Sequence, residues 1–67
     1  MLETGKQTIE AIKEIKRLTK WNNSRVALKT GLSAPTIIRL LAGDNEPSVS
    51  TMLVIETELV RVRKVHG

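Results

Sequence analysis

Residues 23–42 read NSRVALKTGLSAPTIIRLLA, and the spacing within this stretch decides how the chain folds. Asn22, just before it, offers a side-chain oxygen to the free amides of a helix start. Val26, Ala27 and Thr30 then share one side of a short helix. Gly31 ends it, because glycine accepts the left-handed backbone of a helix C-cap. Ser33 caps the next helix, and Pro35 sits in its first turn, where no N–H is missed. Ile37, Leu40 and Leu41 follow at i, i+3 and i+4, and Gly43 is the stop. Ala27 is small enough to let the two helices cross closely, while Leu32 plugs the turn into the core. The outward side of the later helix is then Ala34, Pro35, Thr36, Ile38 and Arg39.

The flanks repeat the same logic. Thr4 and Gln7 spell a capping box, in which hydroxyl and amide satisfy each other's free backbone N–H groups. Ile9, Ile12, Ile15 and Leu18, with Ala11, predict a helix from about Gly5 to Thr19, with Glu10, Lys13, Glu14 and Arg17 on its polar side. Trp21 is expected to fill the core between this helix and the next. After the loop at 43–47, Ser48 is a further N-cap, and Val49, Met52, Leu53, Ile55, Glu56 and Leu59 predict a fourth amphipathic helix. Beyond Leu59 two patterns coexist. Val60-Arg61-Val62-Arg63 alternates like a strand, while Ile55, Leu59 and Val62 continue a helical face. A helix that frays after about residue 62 is expected. The predicted fold is an all-α, compact four- to five-helix bundle, one domain over residues 1–67 with 60–67 as a basic C-terminal tail.

Composition narrows the function. A chain of 67 residues, 40% hydrophobic, supports one core without a roomy ligand pocket. It has no cysteine, hence neither a disulfide framework nor a thiolate metal site. Glu3, Lys6, Glu10, Lys13, Glu14 and Lys16 interrupt any signal-peptide apolar region, and no apolar run is long enough to span a bilayer. A cytoplasmic protein with no membrane partner and no small-molecule ligand is expected. Catalysis needs a nucleophile with a base, or a metal cluster. His66 is the only histidine, and Glu56 and Glu58 point to different helix faces, so no enzyme, cofactor or metal is expected. The formal charge of +4 favours polyanions. Trp21 is the only aromatic residue, too little for a base-stacking platform, which points to duplex DNA over single strands.

Ala27, Gly31, Leu32, Ile37 and Leu40, followed by Gly43 and by Pro47-Ser48 before the fourth helix, resemble the lambda-repressor and Cro-type helix-turn-helix family over residues 8–59. The resemblance implies a helix-turn-helix at 23–42 whose later helix enters the major groove, N-terminal end first. It places Asn23 where a polar side chain touches a phosphate or supports a base contact, and Ser33 where a cap also reaches a phosphate. Ala34, Pro35, Ile38 and Arg39 take the base-reading positions, with Thr36 beside them. Arg39 suits guanine O6 and N7, and Ala34, Thr36 and Ile38 suit thymine methyl groups. Backbone amides near Asn45 approach phosphates, although Asp44 and Glu46 should weaken that end. Lys20, Arg25 and Lys29 are further phosphate candidates. The family often has polar residues where this chain has Ala34 and Pro35, and Ile38 is unusually apolar there.

The implied function is a sequence-specific, double-stranded DNA-binding transcriptional regulator of phage-repressor or Cro-like type. It would act as a homodimer at a palindromic operator, with residues 60–67, including Val60, Val62 and Val65, as a dimer contact. A protein-interaction module or an antitoxin-type regulator on the same fold is the alternative, given the apolar Ala34, Pro35 and Ile38 surface.

Overall fold

Four helices start where a side-chain oxygen meets a free amide. In the computed structural model, which describes residues 2–66, they are α1 (Gly5–Thr19), α2 (Asn23–Thr30), α3 (Ala34–Ala42) and α4 (Val49–His66). Thr4 Oγ1 accepts from Gln7 N at 3.1 Å, Asn22 Oδ1 from Arg25 N at 2.8 Å, Ser33 Oγ from Thr36 N at 3.2 Å and Ser48 Oγ from Thr51 N at 3.2 Å. The expected capping box is shifted by one residue: Gln7 Oε1 accepts from Glu3 N at 2.7 Å, not from Thr4.

The ends are equally local in origin. Gly31 and Gly43 take φ 77 and 76, the left-handed region. After α3 the turn closes with Gly43 N bonded to Leu40 O and Asp44 N to Arg39 O, the double bond pattern of a glycine C-cap. Lys20 ends α1 in the same left-handed region at φ 65, with the single bond from its N–H to Lys16 O, although it has a side chain to accommodate there.

α1 lies mainly along α4, and α2 mainly against α3. Ala11, Ile12 and Ile15 of α1 meet Val26 and Ala27 of α2, Ile37 and Leu40 of α3, and Ile55, Leu59 and Val62 of α4 in one core. The Cα radius of gyration is 10.5 Å, against about 11 Å for a compact chain of this length. Thr30 enters this core without an unpaired hydroxyl, because Oγ1 donates to Val26 O at 2.8 Å. Gly5 is where α1 meets the loop before α4. A methyl there would stand 2.7 Å from Glu46 Oε1 and 3.3 Å from Pro47 Cδ. Since α1 has no acid in its first turn, Glu46 supplies the negative charge that a helix N-terminus favours.

Four expectations are corrected. The chain from Val60 to His66 is neither strand nor frayed tail but the last two turns of α4. Val62 is 2% exposed, which anchors those turns in the core, and Arg63, Lys64 and His66 suit the negative end of the helix. Gly67, the last residue of the expected tail, lies outside the described residues, as does Met1. Trp21 packs against the core but is only half-buried, not enclosed between α1 and α2, where fully buried Ile12, Ile15 and Val26 fill the space those helices share. Its ring also lines a groove with Lys29, Val62 and Val65. Val49 and Leu53, expected on the inward face of α4, are 76% and 49% exposed, because Ile55, Leu59 and Val62 turn the other side of the helix towards α1. Ala34 packs against the core, since it lies one turn before Ile37 on the same stripe.

Among the described residues no helix is long and apolar enough to cross a membrane, and no group of His, Cys, Asp and Glu could hold a metal ion.

Candidate nucleic-acid interface

Charge is distributed unevenly along the chain. Between Glu14 and Asp44 there are six Lys and Arg residues and no acid. These are Lys16, Arg17, Lys20, Arg25, Lys29 and Arg39, all exposed except Lys16, which is half-buried. This interval contains the end of α1 and all of α2 and α3, so the positive charge belongs to that part of the molecule. Such a concentration raises the local density of polyanions and speeds their encounter.

α3 is built to show one side. Ile37 and Leu40 are held in the core, so the helix cannot rotate, and Pro35, Ile38 and Arg39 are exposed. Of the residues expected to read bases, these three are presented outward; Ala34 is not. Thr36 is half-buried, and its hydroxyl is paired with that of Ser33 at 2.7 Å. The Thr36 amide also donates to Ser33 Oγ. Two hydroxyls share one bond between them, so one O–H proton remains for an incoming acceptor such as a phosphate oxygen. Ser33 thus closes the helix start and can still serve a ligand. Ile38, at 53% exposure, is a large apolar surface in the middle of this face.

Arg39 makes no ion pair with any described residue. With Thr36 it borders a hollow completed by Asn45, Ser48 and Thr51. Asn45 thus shares this hollow with Thr36 and Arg39 of α3. Ser48 joins the same hollow, and its hydroxyl is linked to Ser50 and Thr51 at 3.2 and 3.0 Å. The sequence marked it only as a helix cap. Glu46 also borders this hollow, but its carboxylate reaches back to Gly5.

Asn23 opens α2, half-buried, with Oδ1 accepting from Lys16 Nζ at 2.6 Å. Lys16 is the second residue missed from sequence; a contact seven residues apart across a turn leaves no periodic trace. Of the other phosphate candidates, Lys20 and Arg25 are exposed, whereas the Lys29 ammonium lies 5.7 Å from the centre of the Trp21 ring. That cation–π contact holds Lys29 near α4.

The ion pairs lie elsewhere. Arg61 meets both carboxylate oxygens of Glu58, which is only 6% exposed, and Arg63 grips both oxygens of Glu14 at 2.6 and 2.9 Å, tying α4 to α1. The Arg63 guanidinium, chiefly through its hydrogen bonds, holds the Glu14 carboxyl below the ordinary carboxylate value, and Glu14 in turn raises Arg63. Neither pair touches the α3 face, so its bases are not neutralised by them.

No protein-family model, no curated protein and no solved structure matches this chain.

Proposed function

We propose that the chain is a helix-turn-helix regulator of lambda-repressor and Cro type that binds double-stranded DNA in the cytoplasm, with α2 and α3 as the helix-turn-helix. The observation that carries this reading is the outward face of α3: a capped, core-anchored helix with Arg39 exposed inside an acid-free segment bearing six bases. Arg39 would donate to guanine O6 and N7, Ile38 and Thr36 would meet thymine methyl groups, and Ser33, Asn23 and Asn45 would face phosphates. Pro35 would add shape at the N-terminal end that enters the groove first. With so few hydrogen-bonding groups on the face, specificity would rest on Arg39.

A homodimer belongs to the proposal, since two copies of α3 about 34 Å apart would read a palindrome. Val60 and Val65 remain exposed for a subunit contact; Val62 does not, being part of the core.

The test is selection from a random duplex pool at moderate salt. An enriched palindrome is expected, and Arg39→Ala should relax one position in each half-site at a cost of about 1–3 kcal/mol. No retention even at low salt would end the DNA reading. The second reading, a protein-binding module, is favoured by the apolar exposure of Leu28 and Ile38. It predicts binding that salt barely weakens, whereas contacts to phosphates weaken steeply with salt.

A further inference from the structure

We infer that Lys16, near the end of α1, is a positioning residue that turns the Asn23 amide so that its NH2 group faces a backbone phosphate of duplex DNA. The inference rests on the DNA-binding reading and deepens it. Lys16 Nζ donates to Asn23 Oδ1 at 2.6 Å, the only side-chain hydrogen bond joining α1 to α2 among the described residues. An ammonium has donors and no acceptor, so the amide must show it the oxygen; the reversed amide would set NH2 against NH3. The Asn23 nitrogen is thereby directed away from Lys16, and it donates to no described residue. A phosphate oxygen accepts and never donates, so this orientation is the one a phosphate can use.

Four features suit the pair to that task. Lys16 and Asn23 are both half-buried, so the bond between them is shielded from water in part. A cation on the carbonyl oxygen also polarises the amide and strengthens its N–H groups as donors. The amide is held before any ligand arrives, which lowers the ordering cost of binding. Finally, Asn23 is the first residue of α2, beside the exposed Lys20 and Arg25, with no acid between Glu14 and Asp44 to oppose an anion.

The experiment measures binding of the full chain to a short labelled duplex of mixed sequence at low salt, because a phosphate contact does not depend on base sequence. Lys16→Met, Lys16→Arg, Asn23→Ala and the double variant Lys16→Met/Asn23→Ala are compared with the parent. Lys16→Met and Asn23→Ala should each weaken binding about tenfold, and the double variant should be no weaker than the worse of them. Lys16→Arg should restore most of the binding, since its guanidinium also only donates. Unchanged binding by Lys16→Met overturns the inference. So do losses that multiply in the double variant, which would make Lys16 an independent charge. Thermal unfolding of each variant separates a merely structural role, in which Lys16→Met lowers the melting temperature but leaves low-temperature binding intact. Should Lys16→Met fail to fold, Lys16→Gln takes its place; its amide accepts either orientation of Asn23 and should lose part of the binding. If even the parent binds no duplex, the DNA reading fails as a whole; if the parent binds and the Lys16 variants match it, only the positioning role is lost.

Discussion

α3 and α4 both expose large apolar side chains, Ile38 on one and Val49, Leu53, Val60 and Val65 on the other, yet they are held by different means. α3 has nine residues, is capped by a side chain and proline at its start and by Gly43 at its end, and anchors itself through Ile37 and Leu40. α4 has 18 residues with apolar side chains all around, and its orientation comes from Ile55, Leu59 and Val62 seated against α1. The short helix is defined by its boundaries and the long one by what it is packed on. Isolated helices as short as α3 are marginal in water. A site on such a helix therefore inherits its order from caps, and a change at the cap reaches the site as well as the fold.

The largest expected effect breaks α4 at its core. Ile55 is fully buried, so Ile55→Ala should cost about 2–5 kcal/mol through lost burial and the cavity left behind. At roughly 0.05–0.15 kcal/mol per residue, that is a large part of what a chain of this size has. Leu53→Ala, two residues away on the exposed side, should stay within about 0.5 kcal/mol. Denaturant unfolding of the two variants decides the matter. Similar losses would mean that Leu53 is buried in the solution state, by a second subunit for example.

Next come the caps. Ser33→Ala should cost about 1 kcal/mol, or roughly 4–8 °C in melting temperature, because it removes the acceptor for Thr36 N and the Thr36 hydroxyl partner. Ser48→Ala removes the matching bond from α4 but should cost visibly less. The first turn of α4, with Val49 and Ser50 exposed, can fray without disturbing Ile55. Equal losses would erase the distinction between a helix held by its ends and one held by its packing.

The same distinction explains what could be read in advance. Asn22, Gly31, Ser33, Pro35 and Gly43 are local signals with local consequences, so the limits of α2 and α3 followed from them. The direction of α3's outward face followed too, except at Ala34 and Thr36, which are half-buried; the one-turn spacing of Ala34 from Ile37 already pointed to the inner stripe. In α4, Val49, Leu53, Ile55, Leu59, Val60, Val62 and Val65 leave no single apolar stripe, and packing, chiefly against α1, chooses among them. The burial of Glu58 is likewise a tertiary outcome, tolerated because Arg61 one turn on meets both of its oxygens. At the site, the link from Lys16 to Asn23 spans a turn and was invisible. The acid-free interval from residue 15 to 43 was legible in the letters alone, as a run of charge rather than a motif.

Lys20 offers a smaller adjustment at the boundary of α1. It holds φ 65, where a residue with a side chain loses roughly 1–2 kcal/mol, while glycine loses roughly 0.5–1 kcal/mol through its unfolded-state freedom. Lys20→Gly should therefore stabilise the fold by about 0.5–1 kcal/mol. If Lys20 serves a phosphate, duplex binding should fall in the same variant, so that stability and binding move in opposite directions. A gain in melting temperature with unchanged binding would remove Lys20 from the interface.

The smallest effect concerns the tie between α1 and the final turns of α4. Arg63 keeps the Glu14 carboxyl below its ordinary value of 4.5, chiefly by hydrogen bonding and then by charge, against some desolvation. A carboxylate depressed on folding adds stability that is complete above the unfolded value and is lost as pH falls through the folded one. The contribution is thus present at neutral pH and disappears in acid, and salt should weaken it, because Arg63 is more than half exposed. In Arg63→Gln, the Glu14 titration followed by carboxyl NMR should move up towards 4.5, and the stability lost at neutral pH should no longer differ from the parent at low pH. The helix itself should still reach His66, since Val62 rather than the ion pair seats those turns in the core. Fraying of residues 63–66 in that variant would instead show that the last turn of α4 depends on its boundary contact, as α3 does.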